Sequence, residues 1–216
     1  PVATCADSGK ILHHKVLARL LDPQGKAITA GQFLPWVERL GWSARLDFAM
    51  LESCIKQLEK YPQALALSLS GQTLRDAESQ ARLLQILRAS PGKGAQLTLE
   101  LDARHLPPPE QLEQLSQSIR ATGYQLGLQH FGGNFSLISN LTNLGLAYLK
   151  IDGSFIRAID QEADKRAFIV AIHRATNSID MPLIAEMVET ADELEVLKEI
   201  GVMGAMGRLI GPPHVK

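Results

Sequence analysis

Strand-length apolar runs alternate with helix-period segments along this chain, and polar residues within the runs fall on one parity. The runs are HKVLARLLD, ALALSLS, AQLTLELD, YQLGLQHF, LAYLKID, PLIAEMV and the short VMGAMGRLI, seven expected strands. AGQFLPWVERLG reads as a short helix between the first two. SARLDFAMLESCIKQLEK follows with Ser43 as candidate N-cap and Leu46, Met50, Leu51, Cys54, Ile55 and Leu58 at helical spacing. Further helices are expected from about Gln72 to Arg88, over PEQLEQLSQSIRATG with Gly123 as its stop, and over a long stretch reaching Ile179. The last, TADELEVLKEIG, carries a capping box in Thr190 and Glu193 and ends at Gly201.

Strands separated by helices predict a parallel sheet, and the absence of a composition break predicts one α/β domain. A doubly wound dinucleotide fold would place G-x-G-x-x-G after its first strand, and this chain has none there. Ser68, Ser70, Thr98, Glu100, Asp102, Gln129, Lys150, Asp152 and Glu186 share one parity of their strands. In a closed barrel such residues face inward and converge at the C-terminal mouth, where barrel enzymes build their sites. The expected fold is therefore a modified TIM-type barrel.

Composition narrows the partners. The 216 residues are 45% hydrophobic and 21% charged, with a formal net charge of -1, so nothing favours long nucleic acid or an anionic membrane surface. Two cysteines, Cys5 and Cys54, make neither a disulfide framework nor a thiolate cluster. The apolar runs fall short of the roughly 20 residues a membrane helix needs, and the start lacks a signal-peptide pattern. Because the chain begins at Pro1, residues 1–12 are read as a lead-in from a longer protein and 13–216 as the domain.

Glu100, Asp102, Lys150, Asp152, Glu186 and Glu189 at strand ends exceed what core packing requires. Buried charges are costly unless paired, so the ring reads as a present or former ion site, with a structural salt-bridge network as the alternative. The histidines offer little to a metal. His13 and His14 are adjacent and point to opposite faces, and strand parity aims His130 away from the mouth.

Glu100, the KID of Lys150–Asp152 and the AEMVET of Ala185–Thr190 resemble signatures of EAL domains, the cyclic di-GMP phosphodiesterases, over about Lys15 to Pro213. The resemblance implies a modified (β/α)8 barrel in which Mg or Mn activates water. The namesake E-A-L-x-R motif falls on Lys15, Val16, Leu17, Ala18 and Arg19, so Lys15 stands where the family has a metal-binding Glu. Ser68 replaces an Asn, Gln129 and His130 replace two metal-binding aspartates, Met206 replaces a Gln, and Ala103 replaces the last acid of E-x-T-E. Glu186 and Glu189 keep the acids of E-G-V-E. Lysine has no acceptor and Gln only a neutral oxygen, so two-metal hydrolysis is not expected and no metal is assigned.

What the resemblance retains is the nucleotide grip. Arg19 is expected to hold a phosphate, with a salt bridge to a carboxylate as its alternative role. Asp47 is expected to accept from guanine, or else to be a first-turn helix acid. Glu186 and Glu189 are read as further acceptors, Leu17 and Met187 as apolar surface near the bases, and Phe135 on the HFGGNF turn as a dimer-interface anchor. KVLAR and HFGGNF together resemble non-catalytic receptor members of the family. That likeness implies a homodimeric cytoplasmic domain of a bacterial inner-membrane protein that controls biofilm adhesion, with a degenerate GGDEF domain and a periplasmic output domain. Cyclic di-GMP is then ligand rather than substrate, with no cofactor. A residual phosphodiesterase and a nucleotide-independent protein scaffold are the competing readings.

Overall fold

The computed structural model describes residues 1–7, 9–61, 63–132 and 141–213. The chain opens with β1 (Val2–Thr4) and β2 (Ile11–Lys15), then a hairpin of β3 (Arg19–Leu21) and β4 (Ala27–Thr29). The helices α1 (Ala30–Arg39) and α2 (Ser43–Lys60) follow. Strand and helix then alternate through β5 (Leu65–Ser68), α3 (Gly71–Arg75), α4 (Ala77–Ala89), β6 (Leu97–Asp102), α5 (Pro109–Arg120), β7 (Gln125–Phe131) and α6 (Leu141–Leu144). The chain continues with β8 (Tyr148–Ile151), α7 (Ala163–Asn177), β9 (Leu183–Ala185), α8 (Ala191–Ile200) and β10 (Gly204–Ala205). Eight strands close a barrel in the order β1-β10-β9-β8-β7-β6-β5-β2, as the inward polar parity predicts.

The barrel is modified at β1, which runs antiparallel to both β10 and β2 while the other pairs are parallel. Residues 1–12 thus supply a closing strand as well as the start of β2. HKVLARLLD is not one strand: β2 stops at Lys15, and Arg19 begins a separate hairpin opposite Thr29. The helix expected over 72–88 breaks at Asp76, whose extended backbone lets its carboxylate accept from Ser79 N at 2.8 Å and cap α4. Ser43 is the first residue of α2 rather than its cap. The capping box of Thr190 and Glu193 and the left-handed stop at Gly201 form as expected.

Outward residues of the strands, including Leu67, Leu99, Leu101, Leu126, Leu128 and Leu149, bury against Leu51, Leu83, Leu87, Leu112, Leu115 and Ile119 of the helices. This apolar layer leaves the barrel interior free for polar groups near the mouth. Below them, Tyr148 packs with Val2 and Ile184 and stacks on His13 at a centroid distance of 5.0 Å. Gly127 lies opposite Tyr148 in the register, and a Cβ there would stand 2.5 Å from the ring. Among the described residues no helix is long and apolar enough to cross a membrane.

Gly127→Ala forces Tyr148 out of place, and overpacking of this kind costs about 1–3 kcal/mol. Urea unfolding measures it, and an unchanged midpoint would show that the ring yields freely.

Candidate functional site

Parity brings Lys15 of β2, Ser68 of β5, Glu100 of β6, Gln129 of β7 and Lys150 of β8 to one point inside the barrel. Lys15 Nζ donates to Ser68 Oγ, to Glu100 Oε2 and, at 2.7 Å, to Gln129 Oε1. An ammonium has three donors, so its capacity is filled. Gln129 Nε2 donates to Ser68 Oγ at 2.8 Å and ties the acceptors together. On the other side of Glu100, the fully buried Lys150 pairs with Oε1 at 2.5 Å, and the Tyr148 hydroxyl donates to the same oxygen at 2.7 Å.

The electrostatics follow from this geometry. Burial alone would raise the Glu100 pKa, but Lys15 and Lys150 outweigh it and hold the carboxyl at about 2. Burial lowers the Lys150 pKa against the pull of Glu100, and burial with Glu100 raises that of Tyr148. His13 is held down to about 3, first by burial and then by Lys150. Two ammonium groups on one carboxylate leave the cluster with a net positive charge.

Mg and Mn require several hard oxygen ligands carrying negative charge. Here one position is an ammonium, one a hydroxyl and one a neutral amide, and the single carboxylate is engaged on both oxygens. These residues do not fit a hard divalent cation.

His130 departs from its expected placement. Its φ of 55° and the register shift between Leu128 and Phe131 interrupt alternation at the end of β7, so the ring turns inward instead of away from the mouth. His130 Nδ1 lies 3.0 Å from Glu186 Oε2 and 3.4 Å from Asp152 Oδ2. Contact with Glu186 raises the imidazole pKa, against the opposing effect of burial. Met187 also takes a positive φ, 60°, which ends β9 early and leaves its side chain half exposed.

Two clefts flank Lys15, Val16 and Leu17. One, of about 670 Å3, is lined by Asp47, Ser68, Arg104, Gln129 and His130, and the other, of about 920 Å3, by Arg19, Met187, Glu189, Met206 and Arg208. Among the described residues Arg19 has no carboxylate partner, and it donates to the Ala18 carbonyl at 2.8 Å. Asp47 lies beyond the first turn of α2, so a first-turn acid is not its role. It is buried, and its Oδ2 accepts from Ser70 N at 2.7 Å and Thr73 Oγ1 at 2.6 Å, at the start of α3. Glu186 is buried and lines neither cleft, whereas Glu189 stands 3.8 Å from Arg157. Phe135 lies outside the described residues.

Sequence reasoning missed two contributors. Tyr148 shares parity with Lys150 and could have been read as facing Glu100. Arg104 sits past the end of β6, with no periodicity to place it, yet it grips Asp102 through Nε at 2.9 Å and Nη2 at 2.7 Å.

A barrel closed by one antiparallel strand, with polar residues from successive strand ends at its mouth, defines an EAL-type α/β barrel. The EAL domain profile matches residues 1–213, and the chain belongs to the EAL domain family. It is similar to the cyclic di-GMP phosphodiesterase PdeF of Escherichia coli K12, 26% identical over 209 residues, which cover 94% of this chain and 28% of that protein. It thus spans under a third of that relative's length. Two solved structures share the fold. PaMucR phosphodiesterase in its c-di-GMP complex has a TM-score of 0.85 at 24% identity, covering 99% of this chain and 89% of that one. Vibrio cholerae LapD S helix-GGDEF-EAL bound to c-di-GMP has a TM-score of 0.86 at 24% identity, covering 97% of this chain and 52% of that one.

Glu100→Gln leaves two buried ammonium groups without a counter-charge and is expected to cost about 3–5 kcal/mol in urea unfolding at neutral pH. The folded pKa of about 2 lies below the usual 4.5, so the stabilisation by Glu100 is complete above 4.5 and drains as pH falls toward 2. In the Gln variant this component of the pH dependence disappears. An equal acid sensitivity in both proteins would place the acid-labile pairing elsewhere.

Proposed function

We propose that this chain is a catalytically inactive EAL domain that binds cyclic di-GMP and acts as its receptor. The observation that carries the reading is Lys15 Nζ bonded at once to Ser68, Glu100 and Gln129, an ammonium in the place where the family resemblance puts a cation. It leaves no open metal there to generate hydroxide. The same charge that disfavours a cation favours a bound phosphate.

Arg19 is the phosphate grip in this reading. A guanidinium without a carboxylate partner is free to pair with phosphate oxygens. Leu17, between the two clefts, and Met187, in the larger one, supply apolar surface to the bases. Asp47 offers a carboxylate in one cleft and Glu189 in the other. The combined space of the two clefts suits a two-base ligand better than a mononucleotide. The LapD structure, bound to c-di-GMP, has an S helix and a GGDEF segment beside its EAL domain, and this chain matches only part of it. By extension, the whole protein here is a membrane-anchored homodimer with a degenerate GGDEF domain and a periplasmic output domain, linking nucleotide level to biofilm adhesion.

Calorimetry with cyclic di-GMP in EDTA tests the reading. Saturable binding at one site, with no linear dinucleotide formed when Mg or Mn is supplied, is expected. Turnover with either metal would overturn the inactive assignment, and absence of binding would leave a protein scaffold. Arg19→Ala is expected to weaken binding by about 10- to 100-fold, the loss of charge-assisted hydrogen bonds, without changing the thermal midpoint. Unchanged affinity would place the phosphate elsewhere.

A further inference from the structure

Independently of nucleotide binding, we infer that the corner between α1 and α2 is a docking surface for an acidic peptide segment of a partner protein. Both tryptophans of the chain lie there, Trp36 on α1 and Trp42 immediately before α2. They are 62% and 49% exposed, and Leu40, one helical turn after Trp36, is 54% exposed. Large apolar side chains gathered on a surface mark a place of contact, whereas single ones need no explanation. Packing of α1 does not use them. Phe33 is the buried residue of that helix, and Leu34 and Glu38 line the cleft of about 670 Å3.

A second observation gives the charge of the partner. Arg39 lies over the Trp36 ring at 6.0 Å and Arg45 over the Trp42 ring at 5.5 Å, each three residues on from its aromatic neighbour. Among the described residues neither guanidinium has a carboxylate partner or a hydrogen-bond acceptor, whereas Arg82, Arg157 and Arg166 face Glu52, Glu189 and Glu199. Stacking fixes the plane of each guanidinium and leaves its fork of donors open. A carboxylate can then pair with it at little further loss of freedom.

Two arginines set on an apolar surface complement carboxylates that flank an apolar side chain, and tryptophan and arginine are the residues on which protein interfaces most depend. A lipid surface asks for a different pattern. Attraction to anionic headgroups takes clusters of about four to eight basic residues, and this corner has two in a chain of net charge -1. Nor does the corner suit a second copy of itself, because Glu38, the one acid between the two tryptophans, belongs to the lining of the cleft. The corner is also preformed. Gln72 at the start of α3 accepts from Ala44 N at 3.2 Å and donates to the Gly41 carbonyl at 3.2 Å, so a partner meets a surface that is already ordered.

Because Trp36 and Trp42 are the only tryptophans, intrinsic emission reports on this surface alone. The 216-residue chain, in EDTA and without nucleotide, is titrated with the peptide acetyl-Glu-Glu-Leu-Glu-Glu-Leu-Glu-Glu-amide and with the same peptide carrying Gln for every Glu. A saturable emission change at one site per chain is expected with the acidic peptide and none with the Gln peptide. Arg39→Gln combined with Arg45→Gln is expected to weaken the acidic peptide by about tenfold or more, the loss of two charge-assisted pairs. Leu40→Ser, read by calorimetry, is the further variant should that protein fail to fold. Unchanged emission with the acidic peptide, or equal affinity for the Gln peptide or in the folded variants, would overturn the surface. A blue shift on phosphatidylglycerol vesicles without response to the peptide would also overturn it, and would assign the corner to lipid. No cyclic di-GMP is present, so failure of this surface and failure of the receptor reading are distinguishable.

Discussion

Glu100 lies buried inside the barrel with an ammonium on each of its oxygens, Lys15 on one and Lys150 on the other. Ser68, Gln129 and Tyr148 are arranged around that triad. Tyr148 reaches Glu100 because Gly127 leaves space for its ring, and Ser68 and Gln129 are drawn together by accepting from Lys15. A lone buried carboxylate or ammonium would be untenable, so each of the three depends on the others. The triad supplies the interior polarity that the surrounding leucine layer cannot.

The barrel was readable because alternation within strands separates its two faces. Lys15, Ser68, Glu100, Gln129 and Lys150 share a parity, and the structure gathers all five. Parity failed where the backbone left the β region. His130, at φ 55°, turned inward instead of outward, and a conformation of that kind leaves no mark on hydrophobic periodicity. The three-residue β1 was too short to show alternation, and the separation of β2 from β3 was hidden within one apolar run. Asp47 could be recognised as a candidate site acid, but not as the acceptor that fixes the start of α3, because that contact joins residues far apart in sequence.

The mouth therefore holds two different chemistries. Around Lys15 the donors are saturated and the charge is positive. Around His130, two carboxylates face one imidazole, whose Nδ1 stands 3.0 Å from Glu186 Oε2 and 3.4 Å from Asp152 Oδ2. In the proposed receptor reading, an ammonium at the first position separates holding a phosphate from cutting it. Leu17 lines both clefts and Arg19 the larger of the two.

The most direct measurement is an anomalous difference map from crystals soaked in Mn2+. If the Lys15 ammonium holds the cation position, no manganese peak lies among Ser68, Glu100 and Gln129, and continuous density joins Lys15 Nζ to those three side chains. A manganese peak at that point, with Lys15 swung away from Glu100, would contradict the account.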